Sequence, residues 1–134
     1  MALERGVRTA LDLSMAIVEL SPQGKIIDAN NYFCQLMGYS IEELRQQSHT
    51  TLCDRDYAAS AEYRVFWQHL QSGEFYRGRV SRRNRNGNTI WLEATYNPIR
   101  DNQGNVERVI KFARDITDKI EAMSGSYPRP DNSH

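Results

Sequence analysis

The sequence predicts an α+β fold, in which a five-stranded antiparallel sheet carries short helices on one face. Asn86-Gly87 is the dipeptide best suited to a tight type I′ hairpin turn, and residues 90–97 after it alternate between apolar and polar with the period of a half-buried strand. The order of segments is the second observation: two strand patterns, then several helical patterns, then three strand patterns. The sheet needs a cover for its apolar face, and the helices between the strands can supply it.

The composition is that of one ordinary globular domain. Hydrophobic residues make up 40% of the 134 residues, and acidic and basic residues balance to a formal net charge of zero. We therefore expect no nucleic-acid partner and no direct membrane contact. Cys34 and Cys53 are too few and too far apart for a disulfide framework or a metal site, which favours reduced thiols in a cytoplasmic domain.

The chain begins with a predicted flanking helix and a hairpin, at residues 2–13, 15–20 and 25–28. Asp28 or Asn30 is expected to cap a helix that ends at Gly38, because short polar side chains accept from free backbone N–H groups and glycine tolerates a left-handed exit. Ser40 and Glu43 match a capping box, which predicts that a second helix begins there and ends by residue 47.

The rest of the chain predicts a loop, a long helix and three strands. Residues 49–56 show no clear period and are expected to form a loop with one helical turn. Apolar residues at helical spacing predict a helix over 57–72. The strands follow at 75–83, 89–99 and 106–116, and a last helix begins after residues 115–118.

In this order, the motifs resemble those of PAS domains over about residues 10–120. The motifs that carry the resemblance are the 17–28 hairpin with Gly24, Met37-Gly38-Tyr39-Ser40, Gly73-Glu74-Phe75, Asn86-Gly87, Tyr96-Asn97-Pro98-Ile99 and Asp115-Ile116-Thr117. Residues 49–78 are similar to the type found in bacterial chemoreceptor-like proteins, including those implicated in aerotaxis and biofilm dispersal. The resemblance implies an N-terminal flanking helix at 1–13, a PAS domain at 14–118, and the start of an output helix with a disordered tail at 119–134.

The resemblance also implies a sensory function. In such domains a pocket between sheet and helices holds a cofactor or small molecule, and the signal passes to a C-terminal output helix. We expect a cytoplasmic sensor joined to a downstream signalling domain in a bacterial protein that could itself be membrane-anchored. The alternative is a ligand-free dimerisation module, a homodimer formed through the apolar face of residues 2–13 and the sheet face that carries Trp91.

An enzyme is not expected. His49, His69 and His134 have no nucleophile beside them in the sequence, and no phosphate-binding glycine loop or metal-ligand spacing is present.

Two residues bear on a flavin. Trp67 lies on the predicted long helix, where PAS proteins that bind flavin adenine dinucleotide (FAD) carry a tryptophan, although it could equally be a core anchor. Arg82 stands where flavin-type PAS domains have asparagine, and a guanidinium offers donors only. In a pocket, Arg82 needs an anion such as a ligand carboxylate, a haem propionate or an internal acid; on the outer face it is a solvated arginine.

Haem b is the first cofactor hypothesis, with FAD or no cofactor as alternatives. His49 is the candidate iron ligand if haem is bound, and a surface histidine otherwise. His69 lies two residues beyond Trp67 and so points away from any pocket that Trp67 lines. Cys53 could ligate haem as a thiolate or be a small buried thiol.

Strand alternation places three further residues on the concave face, where they line the pocket or fill the core: Leu92, Ala94 and Tyr96. Asp115 and Thr117 are the predicted output residues. Thr117 is expected to cap the last helix, and Asp115 could pair with an arginine on the sheet; the alternative is a simple helix N-terminus.

Overall fold

The computed structural model describes residues 5–45 and 47–124. Its helices are α1 Arg5–Ser14, α2 Asn31–Met37, α3 Ile41–Leu44, α4 Arg55–Ala58, α5 Ala61–Gln71 and α6 Thr117–Ser124, with a 3₁₀ turn at His49–Leu52. Its strands are β1 Ala16–Leu20, β2 Ile26–Ala29, β3 Tyr76–Arg83, β4 Thr89–Arg100 and β5 Val106–Asp115. They form one sheet in the order β2-β1-β5-β4-β3, and every neighbouring pair is antiparallel. The predicted fold class is confirmed.

The core lies between the inner face of the sheet and the helices. On β4, Leu92, Ala94 and Tyr96 are buried, whereas Glu93 between them is exposed. Tyr96 is opposite Tyr76 on β3 and Lys111 on β5, so the inner face continues across the three strands. The alternation predicted for this strand is confirmed.

The short helices begin and end where their capping residues require. Asn30, rather than Asp28, caps α2: its Oδ1 accepts from the backbone N–H of Phe33 and also from that of Ile17 on β1, at 3.1 and 3.0 Å. Gly38 ends α2 with φ of 80°, as predicted. The predicted capping box of Ser40 and Glu43 begins α3.

One predicted helix was wrong in its extent. The helix expected over 57–72 is divided into α4 and α5, because the Ser60 side chain accepts from the backbone N–H of Tyr63 and begins a new helix there. The helix that follows Ser40 ends at Leu44, within the predicted limit of residue 47. Residues 1–4 of the predicted flanking helix and residues 125–134 of the predicted tail lie outside the described residues. Among the described helices, none is long and apolar enough to cross a membrane.

Candidate functional site

A group of polar side chains occupies the core at the centre of the sheet. Strand β4 directs Tyr96 inward, where none of its surface is exposed. The Tyr96 hydroxyl lies 2.9 Å from Nε2 of His49 and accepts a hydrogen bond of 2.9 Å from Nη2 of Arg82. Nζ of Lys111 lies 5.0 Å from the centre of the Tyr96 ring. We call these four residues, His49, Arg82, Tyr96 and Lys111, the cationic core cluster.

His49 comes from the 3₁₀ turn and is 1% exposed, so it is not a surface histidine. Its Nδ1 lies 2.9 Å from the hydroxyl of Tyr63 on α5. The Tyr96 hydroxyl accepts a hydrogen bond from Arg82, and we assign its own proton to a hydrogen bond with Nε2 of His49. Nε2 is then an acceptor, so the proton of the neutral imidazole lies on Nδ1. Burial, followed by repulsion from Arg82 and Lys111, holds the pKa of His49 well below its ordinary value. The imidazole is therefore neutral and fixed at both nitrogens.

Arg82 lies inside the core and not in solvent. It is 1% exposed, and its guanidinium donates from Nη1 to the carbonyl of Ser81 at 2.7 Å and from Nη2 to Tyr96. Its Nε has no hydrogen-bond partner within the described part of the chain. The guanidinium carbon lies 5.9 Å from the centre of the Tyr57 ring. All of these contacts are with neutral groups.

Lys111 is the second buried cation of the cluster. It is 1% exposed, and its Nζ has no hydrogen-bond partner among residues 5–45 and 47–124. Its neighbours are the faces of the Tyr96 and Phe33 rings, at 5.0 and 5.8 Å. Burial, and then repulsion from Arg82, lowers the pKa of Lys111 well below its ordinary value.

Within the described residues, no aspartate or glutamate is buried. The buried polar and charged residues there are Asn30, His49, Arg82 and Lys111. An arginine and a lysine thus share the core with no acidic side chain. This is an uncommon arrangement, because burying a charge is unfavourable unless an opposite charge pairs with it, and the lowered pKa of Lys111 reflects that cost.

Aromatic rings surround the cluster on its helical side. The Trp67 ring meets the His49 ring edge-on at 5.7 Å, and Phe66 meets Tyr96 edge-on at 4.9 Å. Gly24, in the first hairpin, lies directly against Trp67, since a Cβ there would be 3.2 Å from the indole ring. The rings hold the cluster in a closed, apolar setting.

The structure brings all six predicted cofactor-binding residues into this core, and each is buried: His49, Trp67, Arg82, Leu92, Ala94 and Tyr96. Their role in ligand binding stays a prediction. Sequence reasoning did not identify Lys111 or Tyr63. The alternation of Val109, Lys111 and Ala113 on β5, the two outer members being apolar, was a signal that could have found the lysine.

The arrangement does not fit haem. A haem iron needs a free imidazole nitrogen, and both nitrogens of His49 lie within 2.9 Å of a tyrosine hydroxyl. Burial raises the pKa of Cys53, which opposes ionisation of its thiol. His69 lies on the surface, with Nε2 3.2 Å from the carbonyl of Phe75, and points away from the core as predicted.

The predicted output residues form the joint between the sheet and α6. The Asp115 carboxylate accepts from the backbone N–H and the hydroxyl of Thr117, at 2.9 and 2.6 Å. The Thr117 hydroxyl accepts in turn from the backbone N–H of Trp91 at 3.0 Å, and the N–H of Ile116 donates to the Trp91 carbonyl. The capping role therefore belongs to Asp115 rather than Thr117. Trp91, expected to be exposed, is half-buried.

Comparison with known proteins places these features in context. Residues 13–118 match the family model described as a PAS domain. The chain is 51% identical over 107 residues to a biofilm dispersion protein of Pseudomonas aeruginosa, covering 80% of this chain and 26% of that protein. It is 30% identical over 106 residues to the aerotaxis receptor of Escherichia coli, covering 78% and 21%. The chain thus spans about a quarter of the length of these curated relatives.

Solved structures show the same fold. The PAS domain of a protein from Colwellia psychrerythraea matches with a TM-score of 0.71 and 26% identity, over 84% of this chain and 96% of that one. An RNA-binding light-oxygen-voltage receptor matches with a TM-score of 0.71 and 25% identity, over 86% of this chain and 33% of that one.

Proposed function

The chain belongs to the PAS domain family, and we propose that this PAS domain senses a small molecule bound at the cationic core cluster. The observation that carries the proposal is the group of buried polar side chains around Tyr96, between the sheet and the helices. Core packing alone does not require two cations there, because apolar side chains of similar volume fill such a space at least as favourably.

The parent protein in this proposal is a bacterial signalling protein of the chemoreceptor type, in which the domain is cytoplasmic and passes its signal to a downstream domain. Similarity to a biofilm dispersion protein and to an aerotaxis receptor supports this assignment.

Signal transfer in this proposal runs along β4 and β5. Tyr96 and Lys111 are opposite each other on these strands. At the joint with α6, where β4 begins and β5 ends, Leu92 is opposite Asp115. A ligand that binds one arrangement of Tyr96 and Lys111 more tightly than another favours that arrangement by the difference in affinity. Through the two strands, it also shifts the equilibrium between conformations of the joint with α6. The bonds of Thr117 to Asp115 and Trp91 are the contacts that such a shift makes or breaks.

Haem is not part of the proposal, since His49 has no free nitrogen. FAD is the alternative cofactor, supported by the position of Trp67 on α5 beside the cluster. The presence of Arg82 in place of an amide opposes it.

A second candidate function is a homodimerisation module. The observation that favours it is a groove on the outer face of the sheet, next to the end of α1, lined by Met15, Gly78, Thr95, Phe112 and neighbouring residues. Light scattering of the purified domain measures this directly, and a monomer at tens of micromolar contradicts it.

The first test of the sensory proposal combines an absorption spectrum with native mass spectrometry on the freshly purified domain. We expect a colourless protein with an added mass that is lost on denaturation. Flavin bands that bleach on reduction with dithionite assign FAD, and a Soret band assigns haem and overturns the argument from His49. A colourless protein with no added mass contradicts the ligand-sensing function and favours the dimerisation module.

A further inference from the structure

We infer that the molecule bound at the cationic core cluster is a small organic carboxylate. This inference rests on the proposed ligand-sensing function and assigns the chemical class of its ligand.

The charge balance of the core is the first argument. Arg82 and Lys111 are each 1% exposed, both contact Tyr96, and no acidic side chain is buried in the described part of the chain. Ion pairing is what makes burial of a cation tolerable, and the neutral oxygens around Arg82 cannot supply it. A bound anion supplies the missing charge.

No titratable neighbour can take the place of that anion. The groups near the two cations are His49, Tyr96 and three further side chains, Cys53, Tyr57 and Tyr63. Burial raises the pKa of Tyr96 to about 12, and it likewise raises the pKa of the thiol and of the other two phenols. These groups are neutral near pH 7, so the charge that compensates Arg82 has to come from outside the chain. An anion bound there would also favour the charged form of Lys111, whose pKa is lowered in its absence.

The donors left without partners indicate a carboxylate. In the described structure, Nε of Arg82 and Nζ of Lys111 are the free donor atoms of the two basic side chains, and Nε1 of Trp67 is a further buried donor without a partner. The two donors on the basic side chains match the two oxygens of one carboxylate. The surrounding rings, among them Phe33 and Trp67, suit an apolar organic body attached to that carboxylate.

Thermal unfolding with added anions tests the inference. The domain is first freed of bound molecules by denaturation and refolding. Sodium acetate, pyruvate, succinate and benzoate are then titrated against sodium chloride of equal ionic strength, with inorganic phosphate as the competing anion. We expect at least one carboxylate to raise the Tm with saturation, because a ligand that binds only the folded state stabilises it.

Two variants locate the binding. Lys111→Met removes one charged donor and is expected to weaken binding of the stabilising carboxylate about 10- to 100-fold, the usual loss for a hydrogen bond to a charged group. Lys111→Gln is the second variant if the first does not refold. Lys119→Met, at an exposed position on α6, is the matched control and should bind like the unchanged domain.

The outcomes separate this inference from the proposed function. Three results would each overturn the carboxylate assignment. The first is that none of the four carboxylates raises the Tm more than sodium chloride does, and the second is that only phosphate raises it. The third is that Lys111→Met binds the stabilising carboxylate as tightly as the unchanged domain. A neutral molecule found by native mass spectrometry overturns it as well, while leaving the sensory function intact. Absence of any bound molecule in that experiment is instead a failure of the proposed function itself.

Discussion

The cations of this domain are treated in opposite ways at its surface and in its core. Five arginines outside the core pair with carboxylates: Arg45–Asp28, Arg83–Asp54, Arg85–Glu43, Arg108–Glu19 and Arg114–Glu93. Arg82 and Lys111, which are almost wholly buried, contact a hydroxyl, a carbonyl and aromatic rings. Acidic partners are thus found where water already solvates the charge and not where desolvation is strongest.

The difference indicates that the two sets of cations serve different purposes. Exposed ion pairs typically contribute little to stability, since water and salt screen them. Buried cations without a counter-charge lower stability, and proteins commonly retain such groups at sites of function. The contrast is thus what a ligand site in the core would produce, and four measurements test it.

The largest effect is expected from removing the hydroxyl at the centre of the cluster. Tyr96→Phe leaves Nη2 of Arg82 and Nε2 of His49 without partners, and each buried unsatisfied group costs about 1–3 kcal/mol, so we expect a loss of about 3 kcal/mol. Urea unfolding measures it. The control is Tyr39→Phe, whose half-buried ring lies against Arg85, with a change below about 0.5 kcal/mol. Equal effects in both variants would show that the cluster does not depend on this hydroxyl.

Removing a buried cation is expected to act in the opposite direction. Lys111→Met keeps the apolar stem and removes a buried amine that has no hydrogen-bond partner among the described residues, so the ligand-free domain should gain about 2 kcal/mol in free energy of unfolding. Lys119→Met on the surface should change it by less than about 0.5 kcal/mol. A loss of stability in Lys111→Met would mean that the lysine has a compensating partner inside the protein and would remove the contrast with the surface.

The buried histidine predicts a pH dependence. Because the pKa of His49 is lowered in the folded state, the unfolded chain binds a proton below about pH 6.5 that the folded chain does not bind. The contribution of His49 to the free energy of unfolding is therefore complete above about pH 6.5 and declines below it. The slope approaches about 1.4 kcal/mol per pH unit. Unfolding of His49→Gln from pH 7 to pH 5 should lack this slope, and the surface variant His69→Gln should keep it. A slope that persists in His49→Gln assigns the proton to another group.

The sequence predicted the fold well because its signals are local. The hairpin signal at Asn86-Gly87, alternation along β4 and the capping box at Ser40 each depend on neighbouring residues, and the hairpin, the alternation and the capping box were confirmed. The predicted two-residue type I′ turn was wrong, because the N–H of Gly87 donates to the Asn84 carbonyl and the N–H of Asn84 to the Asn88 carbonyl, which leaves a three-residue loop. The division of the predicted 57–72 helix was missed because the Ser60 cap interrupts a continuous apolar pattern.

The site was predicted less completely because it depends on contacts between distant segments. Alternation on β3 placed Arg82 on the same face as Val80, but it did not show which face of the sheet the helices cover. His49 is buried because Tyr63 and Tyr96, 14 and 47 residues away, both bind its ring. Lys111 was missed because a single lysine on a strand usually faces water, and only the packed sheet shows that it does not.

The smallest effect belongs to the surface pairs, and Arg85→Met measures one of them. The pKa of Glu43 is lowered to about 2, first by its hydrogen bond with Arg85 and then by the backbone N–H of Ser40. The stabilisation is therefore present above pH 4.5 and is lost as the pH falls toward 2. In Arg85→Met, NMR titration of the carboxyl carbon should give a pKa above 2 that stays below 4.5, because the Ser40 bond remains. Arg83→Met, which breaks the pair with Asp54 and a bond to the Gly87 carbonyl but no contact of Glu43, should leave the pKa of Glu43 unchanged. An unaltered pKa of Glu43 in Arg85→Met would mean that Arg85, like Arg82 in the core, has no effective acidic partner.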